Sequence, residues 1–99
     1  MSAVYPKLAR GGHLGVQTAA TGANWTPFGA QVCSQLTITN DTGVNIEFTS
    51  VSDSTKPVTV FANTYYTFYG LGNAAELQFR RVDQSNTQVT VKARWEGMP

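Results

Sequence analysis

Charged residues are scarce in this chain. Asp, Glu, Lys and Arg make up 13% of its 99 residues, against about 25% in ordinary globular domains. The formal net charge is only +1, which argues against a protein that binds nucleic acid through its phosphates. Thr, Ser, Asn and Gln supply the polarity instead. Such a neutral surface suits a protein that packs against other subunits, and it also suits β-fibre and sugar-binding proteins.

Cysteine and histidine are each present once, as Cys33 and His13. The chain therefore cannot form an internal disulfide, and we expect the Cys33 thiol to be buried in a strand, with no cationic neighbour to activate it. A structural zinc site with Cys and His ligands is not expected. Because a domain this small is marginal alone, oligomerisation or docking on a partner is the remaining source of stability.

Long apolar runs are also missing. No segment approaches the ~18 consecutive apolar residues of a membrane span. The first residues, MSAVYPKLARGGHLG, lack the continuous apolar segment of a signal peptide. We therefore expect a protein that has no membrane partner, is made in the cytoplasm and is not secreted.

Catalytic motifs are absent from the sequence. The three aspartates fall in predicted turns, where Asp side chains cap the backbone. The chain contains no G-x-S-x-G element, and His13 has no plausible triad partners. Its Gly-rich neighbourhood, residues 11–15, follows no predicted strand and precedes no predicted helix, unlike a phosphate loop. The sequence predicts no enzymatic activity, no cofactor and no metal.

Residues 1–29 show no regular pattern. Glycines interrupt any helical stripe, yet the segment is neither polar nor charged enough for a disordered tail. We interpret residues 1–29 as an extended N-terminal arm that lies along a partner, and residues 30–99 as a separate β-domain. The irregularly spaced apolar residues of the arm are Val4, Tyr5, Leu8, Leu14, Val16, Trp25 and Phe28.

From residue 30 onward, apolar and polar residues alternate with period two. About six such runs, joined by short turns, predict an all-β fold: a single small antiparallel β-sandwich. Runs 32–39 and 44–49 predict a hairpin whose turn places Gly43 for a positive φ. The predicted core consists of Leu36, Ile38, Ile46, Phe48, Val58, Val60, Phe68, Leu77, Phe79, Val89, Val91 and Trp95.

Residues 64–69 form the densest aromatic cluster. Alternation places Tyr66 and Phe68 on one face of the strand and Tyr65 and Tyr69 on the other. One pair is expected in the core. The other pair is either exposed or covered by a neighbouring protein, as aromatic residues at interface centres are. Sugar stacking on exposed tyrosines is the functional alternative.

Four of the seven cations lie on the last two predicted strands. If those strands pair, Arg80, Lys92 and Arg94 share one outward face. That face either docks an acidic partner or is an ordinary solvated surface.

Four segments give the chain a family resemblance: WTPFG at 25–29, SQLTITN at 34–40 with its DTG turn, YYTFY at 65–69 and LQFRR at 77–81. Over residues 25–96 the chain resembles small virion proteins of tailed bacteriophages. The resemblance implies a β-sandwich that decorates or cements the outside of an icosahedral head. Such proteins act as dimers or trimers at capsid symmetry axes, with a terminal arm over neighbouring capsomers.

The function expected from these observations is that of a non-enzymatic virion structural protein. Its expected partners are the major capsid protein or another virion protein, and further copies of itself in a homo-oligomer. The alternative is a carbohydrate- or receptor-binding module of a phage tail or fibre. The expected contact residues are Tyr5, Leu8, Leu14, Val16, Trp25, Tyr65, Tyr69, Arg80 and Arg94.

Overall fold

The computed structural model describes residues 11–97. These residues form eight strands and one turn of 3-10 helix at Ala74–Glu76, and every strand pairing is antiparallel. The predicted all-β antiparallel sandwich is confirmed, with two strands more than expected. The strands are β1 Gly11–Gln17, β2 Thr26–Pro27, β3 Gln35–Asn40, β4 Ile46–Ser50, β5 Asp53–Val60, β6 Thr64–Tyr69, β7 Leu77–Arg81 and β8 Thr90–Glu96.

The eight strands divide equally between two sheets. Sheet A has the order β1-β8-β3-β6 and sheet B the order β2-β7-β4-β5. Consecutive strands lie in opposite sheets at every step except from β4 to β5. Two packed four-stranded sheets with these long crossovers form a jelly roll.

The predicted hairpin between residues 32–39 and 44–49 is wrong, because β3 and β4 belong to different sheets. The buried Asn40 side chain explains the crossover. Its amide nitrogen donates to the carbonyl oxygens of Val44 at 2.8 Å and Val60 at 2.9 Å, which ties the end of β3 to sheet B. Gly43 has a φ of 83°, so the predicted left-handed turn residue is confirmed.

The predicted arm is wrong for residues 11–29, which belong to the sandwich. Strand β1 pairs with β8 over its whole length, β2 pairs with β7, and Phe28 is only 2% exposed. The alternation of apolar and polar side chains did not reveal β1, because three of its seven residues are glycines. Its place at the sheet edge depends on backbone pairing with β8. Gly12 also makes room for the indole of Trp95: a Cβ there would lie 2.6 Å from Nε1. Residues 1–10 of the predicted arm lie outside the described residues.

The core lies between the two sheets. Eight of the predicted core residues are buried, whereas Phe68, Val89 and Trp95 are only partly buried. Val58 is 36% exposed, because β5 is the edge strand of its sheet and no described strand covers it. The buried apolar residues are Phe28, Cys33, Leu36, Ile38, Ile46, Phe48, Val60, Ala74, Leu77, Phe79, Val91 and Ala93.

Cys33 is buried, as predicted, but it lies just before β3 and not in a strand. Burial, with a smaller contribution from the negative charge of Glu76, raises the pKa of the thiol above its ordinary value of 9.0. A thiol with a raised pKa carries little of the reactive thiolate. Cys33 therefore acts as a small apolar residue of the core.

Candidate functional site

The outer face of sheet A carries polar and tyrosine side chains. On β6, Tyr65 and Tyr69 project from this face and are 76% and 74% exposed. Between them Thr67 lies opposite Thr37 of β3, and the two hydroxyl oxygens are 2.9 Å apart. The core pair predicted for this strand is only half formed. Phe68 packs against Phe48 with ring centroids 5.4 Å apart, but Tyr66 remains 46% exposed at the sheet edge.

A shallow cavity of about 380 Å³ opens beside Tyr65. Its volume falls at the lower end of the ~300–1,000 Å³ that is usual for small-molecule sites. Tyr65 lines this cavity together with polar residues of β3, of the turn after β3, of the turn before β6 and of the start of β6. The lining residues are Thr37, Thr39, Asn40, Asp41, Asn63, Thr64 and Tyr65. We call this the Tyr65 cavity.

An ion pair borders the Tyr65 cavity. Lys92 Nζ on β8 donates to Asp41 Oδ2 at 2.9 Å. This hydrogen bond is the main cause of a lowered pKa for Asp41, and the positive charge of Lys92 adds to it. Both side chains are open to solvent, at 60% and 50% exposure. The cavity thus has an ionised acceptor and a cationic donor side by side.

Asn40 holds the floor of the Tyr65 cavity in place. While its Nδ2 bonds sheet B, its Oδ1 accepts from Thr42 N at 3.1 Å and from Thr42 Oγ1 at 2.6 Å. The backbone N–H of Asn63 donates to the Asn40 carbonyl at 2.8 Å. Asn63 has a φ of 64°, a left-handed conformation that Asn tolerates better than most residues. These bonds fix both turns around the cavity.

The outer face of sheet B carries a different cluster, made of Trp25, Arg80 and Glu47. The guanidinium carbon of Arg80 lies 4.2 Å from the centre of the Trp25 ring, within cation–π range. Arg80 Nε donates to Glu47 Oε2 at 2.8 Å, and Nη1 donates to the Ala23 carbonyl at 2.7 Å. Arg80 and Glu47 are only 22% and 12% exposed. We call these three residues the Trp25 cluster.

Two exposed apolar residues lie at one end of sheet B. Phe61 is 61% exposed and Val82 is 41% exposed. They flank Asn45, whose carbonyl accepts from Val82 N at 3.1 Å and whose Oδ1 accepts from Ala62 N at 3.0 Å. Sheet B thus offers aromatic, guanidinium and aliphatic groups to its surroundings.

The predicted basic face does not form. Arg80 lies on β7 in sheet B, whereas Lys92 and Arg94 lie on β8 in sheet A, so the sandwich separates them. The assumption that the last two strands pair is therefore wrong. Arg94 is exposed and its Nε lies 3.5 Å from Glu96 Oε2. The Trp25 cluster, in contrast, brings two predicted contact residues together.

Leu14 and Val16 were predicted to contact a partner as part of the arm, but the structure places them in strand β1 of the sandwich. They lie opposite Ala93 and Val91 of β8 and pack against the core. They face inward because β1 is an integral strand of sheet A. The predicted contact residues Tyr5 and Leu8 lie outside the described residues.

Sequence reasoning missed Asp41, Asn63 and Lys92 as members of a common site. Asp41 was interpreted as a turn residue, and it lies in the turn after β3. The only local signal was the position of Asp41 and Asn63 at the ends of predicted strands. The end of β3 lies beside the start of β6 because the two strands pair in antiparallel register. This pairing brings together residues that are distant in the chain.

Across residues 11–97, no three His, Cys, Asp or Glu side chains come together in a way that could hold a metal ion. Within the same range, no helix has the length and hydropathy needed to cross a membrane.

This chain is similar to known proteins in its fold only. No family model matches the sequence, and no curated protein matches it. The structure is similar to the Cupin_2 domain of an XRE family transcriptional regulator from Enterobacter cloacae, with a TM-score of 0.51 at 16% identity. The match covers 97% of this chain and 92% of that domain.

A weaker match is a chain from the structure described as Bacillus endospore appendages, a family of disulfide-linked pili. Its TM-score is 0.39 at 12% identity, over 89% of this chain and 88% of that one.

Proposed function

We propose that this chain is a non-enzymatic structural protein of a tailed-bacteriophage virion. In this proposal it binds the major capsid protein or another virion protein through the outer face of sheet B. The observation that carries the proposal is the Trp25 cluster, in which a Trp and an Arg are held in fixed positions on an outer sheet face.

The chemistry of the cluster suits a protein partner. Trp and Arg are enriched among the residues that dominate binding energy at protein interfaces. A side chain that is already ordered loses less conformational entropy on binding. Arg80 is held by Glu47 and by the Ala23 carbonyl. Arg80 and the Trp25 ring on which it stacks therefore need little further ordering when a partner binds.

The phage assignment rests on the sequence resemblance, and two of its four segments form this part of the fold. Residues 25–29 provide Trp25 and strand β2, and residues 77–81 provide strand β7 with Arg80. These two segments pair with each other. The resemblance and the Trp25 cluster therefore involve the same piece of surface.

Binding to phage heads tests this proposal. Purified chain is incubated with heads lacking it, assembled from the phage genome that encodes it, and binding is measured by co-sedimentation. We expect Trp25→Ala to weaken binding by at least ~30-fold, the loss that corresponds to about 2 kcal/mol for a hot-spot residue.

Tyr69→Ala is the matched control, since it removes an exposed aromatic ring from the opposite sheet. It is expected to bind heads like the unaltered chain. If Trp25→Ala and Tyr69→Ala bind equally well, sheet B is not the docking face. If the unaltered chain does not bind heads at all, the virion assignment is wrong.

A further inference from the structure

We propose that the Tyr65 cavity is a binding site for a neutral pyranose sugar, such as the terminal residue of a surface glycan. The sugar ring stacks on Tyr65, and its hydroxyl groups bond the polar side chains around the cavity. The site lies on sheet A and is independent of the docking function proposed for sheet B.

Tyr65 is exposed beside a cavity. The face of an aromatic ring carries negative electrostatic potential, which attracts the weakly positive C–H groups on one side of a sugar ring. Tyr69 is exposed to the same degree on the same strand, yet it does not line the Tyr65 cavity. Of these two tyrosines, only Tyr65 borders this cavity and its polar lining.

Hydrogen-bonding groups of both kinds lie around the cavity. Sugar hydroxyls both donate and accept, so a site needs acceptors and donors close together. Asp41 provides carboxylate acceptors, the Lys92 ammonium beside it provides donors, and the Asn63 amide and Thr39 hydroxyl provide both. Hydrogen bonds that involve an ionised group are stronger than neutral ones.

Charge favours a neutral ligand. The Asp41 carboxylate and the Lys92 ammonium form an ion pair, so their charges cancel at the rim of the cavity. The remaining lining residues are uncharged. A charged ligand would find no unpaired opposite charge at this cavity. A neutral ring with several hydroxyl groups can donate to Asp41 and accept from Lys92.

Hydrogen bonds within the chain hold the polar groups of the site in place. Asn40 fixes the turn that carries Asp41 and, through its backbone carbonyl, the turn that carries Asn63. A binding site whose groups are held in place avoids the entropic cost of ordering them. The cavity volume of about 380 Å³ suits a single sugar ring with its hydroxyls.

Saturation-transfer NMR on the full chain tests the proposal. The probes are the methyl glycosides of glucose, galactose, mannose and N-acetylglucosamine, each measured separately. We expect transfer to the ring C–H protons of at least one probe. Tyr65→Ala should weaken its binding at least ~tenfold, and Tyr65→Phe, which keeps the ring, should change it by no more than about threefold.

Tyr69→Ala is the matched control and should leave binding within about twofold, because it removes an equally exposed ring outside the cavity. Asp41→Asn should weaken binding at least ~fivefold through the loss of the ionised acceptor. Thermal unfolding of each variant confirms that it is folded. Absence of transfer to all four probes, or equal losses in Tyr65→Ala and Tyr69→Ala, overturns the proposal.

The test is separate from that of head binding. Tyr65→Ala is expected to bind phage heads normally, and Trp25→Ala is expected to bind sugar normally. If sugar binding fails while Trp25→Ala still loses head binding, only the sugar site is wrong. The reverse pattern leaves the sugar site standing and removes the docking function.

Discussion

The two outer faces of the sandwich differ in how firmly their polar groups are held. On sheet B the ion pair of Arg80 and Glu47 is largely shielded, at 22% and 12% exposure, and it supports the ring of Trp25. On sheet A the pair of Lys92 and Asp41 is open to solvent, at 60% and 50% exposure.

The exposure of each ion pair bears on the kind of partner that its face could contact. An exposed ion pair contributes little to stability, but its groups are free to exchange water for a hydroxylated ligand. A shielded pair that orders a Trp ring forms a rigid anchor for a protein surface. The same alternation of inward and outward residues thus produces a polar surface on sheet A, where we propose sugar binding, and a surface with an ordered Trp and Arg on sheet B, where we propose docking.

Deleting residues 1–28 should have the largest effect, because it removes β1 from sheet A and β2 from sheet B together. We expect the chain to lose cooperative unfolding, measured by circular dichroism, and to lose the dispersed amide spectrum of a folded β protein. Deleting residues 1–10 is the control, since the eight strands begin at Gly11. A dispersed spectrum for the larger deletion would mean that residues 30–97 fold without these strands.

Gly22→Ala should have the next largest effect, since Gly22 lies in the connection that carries the chain from sheet A to sheet B. A Cβ there would lie 2.0 Å from the backbone oxygen of Ser85. We expect the free energy of unfolding to fall by about 3 kcal/mol, as for severe overpacking. Gly15→Ala is the control. Its Cβ would meet nothing closer than 3.6 Å, and we expect a change within about 0.5 kcal/mol.

Paired substitutions compare the two ion pairs directly. Glu47→Gln should lower the free energy of unfolding by about 1–2 kcal/mol, because it weakens a shielded hydrogen bond to a charged group. Asp41→Asn, on the open pair, should leave urea unfolding curves unchanged within error. Equal losses for the two variants would contradict the contrast in burial that we draw between the faces.

The smallest effect concerns pH. Lys92 lowers the pKa of Asp41 below its ordinary value of 3.8, so the folded state favours the ionised carboxylate. The stability this contributes is present above the unfolded pKa and is lost as the pH falls through the lower folded value. NMR titration should report a pKa below 3.8 for Asp41 and an upward shift in Lys92→Met. If the pKa of Asp41 were the same in Lys92→Met as in the unaltered chain, Lys92 would not bond Asp41 in solution.

The alternation of residues was enough to predict which side of most strands faces the core. It placed Leu36, Ile38 and Phe79 inward correctly, because the side-chain period of a strand is a local property of the backbone. It placed Val58 inward as well. Alternation gives the direction of a side chain but does not say whether a neighbouring strand covers it, and at the edge strand β5 no strand within residues 11–97 does.

The first strand illustrates the opposite failure. Gly11, Gly12 and Gly15 removed the side chains that periodicity depends on, so β1 was interpreted as part of an arm. Its place in sheet A depends on backbone pairing with β8, about eighty residues away. A close approach such as that of Gly12 to Trp95 is a requirement of the assembled sheet, and it leaves no local pattern.

The sequence by itself determined an all-β chain with a buried thiol, a left-handed turn at Gly43 and no catalytic motif. These properties depend on composition and on neighbours a few residues apart. The contact of Trp25 with Arg80, and the proximity of Asp41 and Asn63 beside Tyr65, became visible only in the tertiary structure. Those contacts depend on which strands pair and in what register, and pairing in a jelly roll joins segments that are distant in the chain.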